Sequence, residues 1–113
     1  MFGAQRAALD FAREGVRCCD VDAAARQYIA DAGYGPYFTH SLGHGIGMLV
    51  HEAPNFSRLA PTDSLLSRGN VMSVEPGIYI EGKYGVRIED MIAVRHDGTI
   101  QNLTKSPKEL IEI

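Results

Sequence analysis

Three side chains of this sequence have the types and surroundings expected of ligands for a divalent cation. His44 lies between two glycines, Glu75 is followed by Pro76, and Glu89 ends the run Arg87-Ile88-Glu89. Small neighbours on both sides let the His44 imidazole approach an ion with little steric obstruction. We therefore predict one wall of a hydrolytic metal site, to which further ligands must be added before the set is complete.

The two carboxylates are expected to meet because side chains alternate between the faces of a strand. If Val74 and Ile88 pack into the core, Glu75 and Glu89 point to the opposite face. Two carboxylates brought together repel each other unless a proton or a cation lies between them. Arg87 is placed to balance part of the charge. Taken singly, each glutamate could also be an ordinary solvated strand residue.

The other histidines divide into two near His44 and one far from it. His51 follows seven residues after His44, too far to share a helical face with it, so the pair is not a helical zinc motif. A role in supporting a metal ligand, or in acid–base chemistry, suits His51 better than ligation. His40 could orient a ligand or substrate, or fill a packed corner, and both alternatives stay open. His96 is interpreted as an exposed turn residue.

Two helices are predicted before the site. The first runs from about Gln5 to Arg13 and is expected to end at Gly15. The second can be capped by Asp20 or Asp22 and ends before Gly33. Its apolar stripe consists of Val21, Ala24, Ala25, Tyr28 and Ala32.

The second half of the chain is predicted to form strands. Residues 55–70 indicate a loop, whereas 71–80 and 86–95 are rich in Val and Ile, which is typical of strands. Asp97-Gly98 predicts a hairpin leading to a last short strand at about 100–103. Two helices followed by antiparallel strands predict an α+β fold with two helices packed on an antiparallel sheet.

The composition excludes several classes of protein. The chain has 113 residues and a net charge of −3, which suits a single domain spanning 1–113. The absence of a basic run argues against nucleic acid, and the absence of a long apolar stretch argues against a membrane partner. The start of the chain lacks the pattern of a signal peptide. Cys18 and Cys19 are adjacent and are expected to be reduced thiols, which favours a cytoplasmic location.

Four runs of the sequence match a known family in the same order: His40-Ser41-Leu42-Gly43-His44-Gly45-Ile46-Gly47, His51-Glu52-Ala53-Pro54, Ser73-Val74-Glu75-Pro76-Gly77-Ile78-Tyr79 and Gly85-Val86-Arg87-Ile88-Glu89-Asp90. Together they resemble the pita-bread metallopeptidases, in the branch of Xaa-Pro aminopeptidases and Xaa-Pro dipeptidases (prolidases). The resemblance covers nearly the whole chain. It implies half of a pita-bread fold, corresponding to the C-terminal part of the catalytic domain.

The resemblance also implies roles for particular residues. His44, Glu75 and Glu89 would be metal ligands for two divalent ions (Mn, Co or Zn), with Glu89 bridging them. Glu75 would act as general base. His51 would contact the substrate and stabilise the tetrahedral intermediate. His40 and Arg87 would line the substrate pocket or support the metal ligands from behind. The implied reaction is hydrolysis of the N-terminal Xaa-Pro bond of a proline-containing peptide or dipeptide.

This chain departs from the family pattern in its ligand set. The family has two further aspartate ligands on strands that precede the first helix, and no aspartate here matches them. Ala53 also replaces a common proline. We therefore expect the isolated chain to bind a divalent ion weakly and to cleave little. A solitary half of the pita-bread fold would expose the surface that packs on the other half, so we also expect a homodimer. Two alternatives stay open: a non-catalytic peptide- or protein-binding module, and a metal-free creatinase-like hydrolase.

Overall fold

A computed structural model describes residues 1–109, and the last four residues of the predicted domain lie outside that range. Two helices come first, α1 (Phe2–Phe11) and α2 (Cys18–Asp31), followed by a 3₁₀ turn at Gly35–Tyr37. The strands are β1 (Gly43–Gly45), β2 (Glu52–Phe56), β3 (Val71–Val74), β4 (Gly77–Ile80), β5 (Tyr84–Arg87), β6 (Asp90–Val94) and β7 (Ile100–Asn102).

The helix boundaries correct two predictions. Helix α1 ends at Phe11 because Ala12 already has an extended backbone. Gly15 therefore lies in the turn between the helices, where its φ of 89° is readily available only to glycine. The predicted aspartate cap of α2 is wrong: Arg17 is the N-cap, and no side chain bonds to the cap. Asp22 lies one turn inside the helix and is buried, where it pairs with Arg26 instead.

The strands form a five-stranded antiparallel sheet in the order β2-β1-β3-β6-β7 and a two-stranded sheet of β4 and β5. Strands β1 and β2 were not predicted, and the end of β2 occupies the start of the predicted loop at 55–70. Gly43 pairs with Phe56 on one side of β1, and Gly45 pairs with Met72 on the other. Neither glycine carries a side chain to show periodicity. At Gly43 a Cβ atom would collide with the carbonyl of Ser73.

The two long strands predicted at 71–80 and 86–95 are each divided at the site. Val74 pairs with Asp90 at the end of the β3–β6 ladder, and Gly77 pairs with Arg87 at the start of the β4–β5 ladder. The register is the same in both ladders, so it places Glu75 opposite Glu89 in the gap between them. The four strands thus behave as one long hairpin with an interruption where the two carboxylates lie.

The core lies between the helices and one face of the five-stranded sheet, which confirms the predicted α+β layer. Ala4 and Ala8 of α1 are fully buried, so this helix approaches its neighbours closely. The main large core residues are Ile29, Leu42, Phe56, Leu66, Met72, Val74 and Ile92. Among residues 1–109, neither helix combines the length and the apolar character that crossing a bilayer requires.

Candidate metal centre

The structure brings His44, Glu75 and Glu89 together from three elements. His44 is in β1, Glu75 follows the end of β3, and Glu89 precedes β6. One potential ligand atom from each residue lies within 4.8 Å of the others. The close approach of the two glutamates, expected from strand alternation, is therefore found in the structure.

The imidazole of His44 is held with one nitrogen free to bind an ion. Its Nδ1 lies 3.0 Å from the carbonyl oxygen of Gly45, which can only accept a hydrogen bond, so Nδ1 carries the proton. The lone pair of Nε2 is then directed elsewhere, in the arrangement typical of metal-binding histidines. The backbone N–H of His44 donates to Oγ of Ser73 at 3.0 Å, which fixes the strand beside Glu75.

The residues present fit a divalent cation because a buried oxygen lacks a donor. Oε2 of Glu75 is 3.3 Å from Nε2 of His44 and has no hydrogen-bond partner. In the tautomer that Gly45 favours, both atoms present lone pairs to each other. A cation between them would satisfy both atoms at once.

Glu89 adds a second carboxylate to the same point. Burial raises the pKa of Glu89 above its ordinary value of 4.5, and the neighbouring carboxyl group of Glu75 raises it further. Arg87 and His44 act in the opposite direction by favouring the charged form. The site therefore holds a proton more firmly than an isolated glutamate would, as expected where two carboxylates face each other without a cation.

A cavity of about 460 Å³ opens beside these ligands. The ring of His51 packs at 4.2 Å from the ring of His44, centroid to centroid, and Arg87 lines the same cavity. Sequence reasoning missed the apolar side chains of its wall. The signal in the sequence is the apolar run Met48-Leu49-Val50, which follows the glycine-flanked histidine. The apolar lining residues are Ile46, Met48, Leu49, Val50 and Met91.

His40 lines a second cavity beside the ligands. Its Nδ1 lies 2.7 Å from the carbonyl oxygen of Ser41, and in the neutral ring with the proton on Nδ1 its Nε2 accepts a hydrogen bond from the hydroxyl of Tyr79 at 2.8 Å. The ring also packs edge-on against Phe38. His40 is thus packed against its neighbours, and it also lines a cavity of about 280 Å³ together with His44 and Glu75. That it orients a ligand or substrate stays a prediction. Tyr79 was missed because strand alternation cannot be followed past Pro76.

The segment that carries His40 and leads into β1 is fixed to α2 by one ion pair. Asp22 accepts hydrogen bonds from Nε of Arg26 at 2.8 Å and from the backbone N–H of Leu42 at 3.0 Å. Arg26 also donates to the carbonyl oxygens of Phe38 and His40. The helix thus determines where the strand carrying His44 begins. His96, in contrast, is exposed in the turn after β6, as predicted.

Comparison with known proteins shows the family of this chain. The model of metallopeptidase family M24 matches residues 2–96. An Xaa-Pro dipeptidase from Lactobacillus delbrueckii subsp. lactis is 50% identical over 107 residues, which are 95% of this chain and 28% of that protein. Among solved structures, an Xaa-Pro dipeptidase from Bacillus anthracis gives a TM-score of 0.90 at 47% identity, covering 97% of this chain and 30% of that one. The prolidase from Pyrococcus horikoshii OT3 gives 0.91 at 44%, covering 97% and 31%.

The fold and the match define a protein of the metallopeptidase class. This chain belongs to metallopeptidase family M24. Its similarity to proteins named Xaa-Pro dipeptidase and prolidase confirms the branch and the pita-bread fold recognised in the sequence. The chain spans 28–31% of the length of these relatives.

Proposed function

We propose that this chain supplies His44, Glu75 and Glu89 to the metal site of a peptidase that hydrolyses Xaa-Pro bonds in dipeptides or short peptides. The observation that carries the proposal is the 3.3 Å approach of Nε2 of His44 to a buried Glu75 oxygen that has no donor. Retention of all three candidate ligands favours a peptidase over a non-catalytic binding module or a metal-free hydrolase. The proline specificity rests on the names of the relatives.

Each residue of the site has a role in this proposal. Two divalent ions (Mn, Co or Zn) would acidify a water molecule and polarise the scissile carbonyl when bound. Glu75 takes the proton from the attacking water. His51, whose ring packs at a tilt against that of His44, contacts the substrate and stabilises the tetrahedral intermediate. Arg87 and His40 each line a cavity beside the ligands, and both would contact the substrate there.

The isolated chain should bind a divalent ion weakly and cleave little. Three ligands capture an ion less tightly than the five that the family resemblance implies, because fewer charged groups offset the cost of removing its water. Robust manganese-dependent cleavage of Ala-Pro by the purified chain would contradict this part of the proposal.

A chimera tests the reaction itself. This chain would replace the matching segment of the Bacillus anthracis Xaa-Pro dipeptidase, to which it is 47% identical. We expect the chimera to hydrolyse Ala-Pro in the presence of Mn²⁺ and the Glu75→Gln variant to lose about 100-fold or more in kcat. His96→Ala, in an exposed turn, is the matched control and should keep full activity. A well-folded chimera that binds Mn²⁺ without cleaving Ala-Pro would reject the assigned reaction.

We also propose that two copies of the chain associate and that the protein is cytoplasmic. Several large apolar side chains are exposed, and such surfaces favour association. Free thiols at Cys18 and Cys19 support a reducing compartment. Sedimentation equilibrium at high micromolar concentration should show a dimer, and a monomer there would reject this part. The exposed residues include Met48, Leu49, Val50, Tyr84 and Val86.

A further inference from the structure

Gln5 is a fully buried polar residue on α1 that the proposed reaction does not use. Its side-chain Nε2 lies 3.3 Å from the carbonyl oxygen of Val74 and 3.5 Å from that of Ile88. Val74 immediately precedes Glu75, and Ile88 immediately precedes Glu89. One amide group therefore contacts the backbone of both strands, one residue before each candidate carboxylate ligand.

The Gln5 amide supplies a donor where the hairpin lacks a cross-strand hydrogen bond. The register places Pro76 opposite Ile88, and the N–H of Ile88 reaches the Pro76 carbonyl at 3.4 Å. Proline has no N–H to return the bond, so the carbonyl of Ile88 lacks its cross-strand donor. The N–H of Glu75 faces away from Glu89 and donates to the carbonyl oxygen of Leu42 at 2.8 Å, so it cannot serve the Ile88 carbonyl. A donor must therefore come from outside the sheet.

Burial of the Gln5 amide is unfavourable for one of its two polar atoms. Its Oε1 is buried without a partner, and burial of an unsatisfied polar atom is unfavourable. An apolar side chain of similar length would avoid this cost but would leave the Ile88 carbonyl unpaired. Gln5 therefore acts at the interruption between the two ladders. At the same place the carboxylates of Glu75 and Glu89, which repel each other, must stay opposite each other.

We propose that Gln5 is a positioning residue that clamps the two strands at the interruption and so sets the spacing between the carboxylates of Glu75 and Glu89. The clamp is a property of the metal-free chain, and its consequence for metal binding rests on the proposed function. Gln5 itself touches neither substrate nor ion. A looser clamp lets the carboxylates separate, which weakens the capture of a small ion such as Mn²⁺ more than that of the larger Ca²⁺.

Hydrogen exchange followed by NMR tests the clamp without any metal. In the Gln5→Met variant, which keeps the side-chain length and removes the donor, the backbone N–H groups of Glu75 and Ile88 should exchange about tenfold faster. Ala8→Gly is the matched control, because it destabilises the same helix from a buried position without contacting either carbonyl. Equal exchange rates at Glu75 and Ile88 in the two variants would overturn the proposal.

A second measurement uses the wild-type chain alone and so does not depend on a variant that folds. The side-chain N–H groups of Gln5 should exchange at least about tenfold slower than those of the exposed Gln101. Similar rates for the two side chains would overturn the clamp.

Metal titrations separate the clamp from the proposed function. The ratio of Mn²⁺ to Ca²⁺ affinity should fall about fivefold in Gln5→Met and stay constant in Ala8→Gly, measured well below the melting temperature. An unchanged ratio would overturn the effect on carboxylate spacing. If the wild-type chain binds neither ion, the proposed metal site fails, while the exchange data still decide the clamp.

Discussion

Oε2 of Glu75 lies 3.3 Å from Nε2 of His44, and neither atom has a proton to offer the other while Nδ1 of His44 donates to Gly45. This pairing of two lone-pair atoms inside a folded protein is unfavourable unless a third group intervenes. A divalent cation or a protonated imidazole would relieve it. The relationship leads to predictions about metal binding, stability and reactivity.

Removal of a ligand should weaken metal binding. His44→Ala or Glu75→Gln should reduce the affinity of the chain for Mn²⁺ by about tenfold or more, which corresponds to about 1.4 kcal/mol. The measure is the signal of free Mn²⁺ in electron paramagnetic resonance during titration. His96→Ala is the control and should bind as the wild type does. Equal affinities for all of these proteins would contradict the assignment of the ligands.

Stability without metal should depend on pH through Glu89. Its pKa is raised in the folded chain, so the folded state binds this proton more tightly than the unfolded state does. The unfolding free energy of the metal-free chain should therefore fall as the pH rises from 4.5 through the raised value. Denaturant titrations in EDTA should show a flatter pH profile over this window for Glu89→Gln. An identical slope in the variant would contradict the repulsion inferred here.

Loss of the Ser73 hydroxyl should destabilise the strand that carries His44. In Ser73→Ala the N–H of His44 loses its acceptor, which should cost about 1–2 kcal/mol of unfolding free energy. Urea denaturation measures the change. Ser67→Ala removes an exposed hydroxyl and serves as the control. A loss no larger than in Ser67→Ala would show that another group satisfies the His44 N–H.

The buried ion pair should matter far more than an exposed one on the same helix. Arg26→Met leaves the fully buried Asp22 without its partner and should cost about 3 kcal/mol. Arg17→Met breaks the exposed pair with Asp20 and should change the unfolding free energy little. Thermal and urea unfolding of both variants measure the difference. Equal costs would mean that the Asp22–Arg26 pair does not hold the segment before β1.

The two adjacent cysteines should react at different rates. Cys18 is fully buried, and burial is the main cause that raises its pKa, so little reactive thiolate forms near neutral pH. Cys19 is partly exposed. Iodoacetamide at pH 8 should therefore label Cys19 first, as read by mass spectrometry, and Cys18 only after denaturation. Labelling of both at the same rate in the native chain would contradict the burial of Cys18.

The sequence by itself determined the candidate ligands and the type of layer. The histidine between glycines and the alternation at Glu75 and Glu89 are local signals, because side-chain direction along a strand depends only on the parity of the position. Helix α2 and the Asp97-Gly98 turn were likewise predictable, since an apolar stripe and a turn pair act over a few residues. What these signals leave open is which strands pair with which.

Only the tertiary structure decided the pairing and the support of the site. Strand β1 forms because glycine allows the Ser73 backbone to approach Gly43, and no pattern within the segment predicts that neighbour. The single register across the interrupted hairpin brings Glu75 opposite Glu89. Asp22 became a buried partner of Arg26 rather than a helix cap, and Gln5 reached two carbonyls more than 60 positions away in the chain. Such contacts depend on the packing of α1 and α2 on the sheet, which is a property of the whole fold.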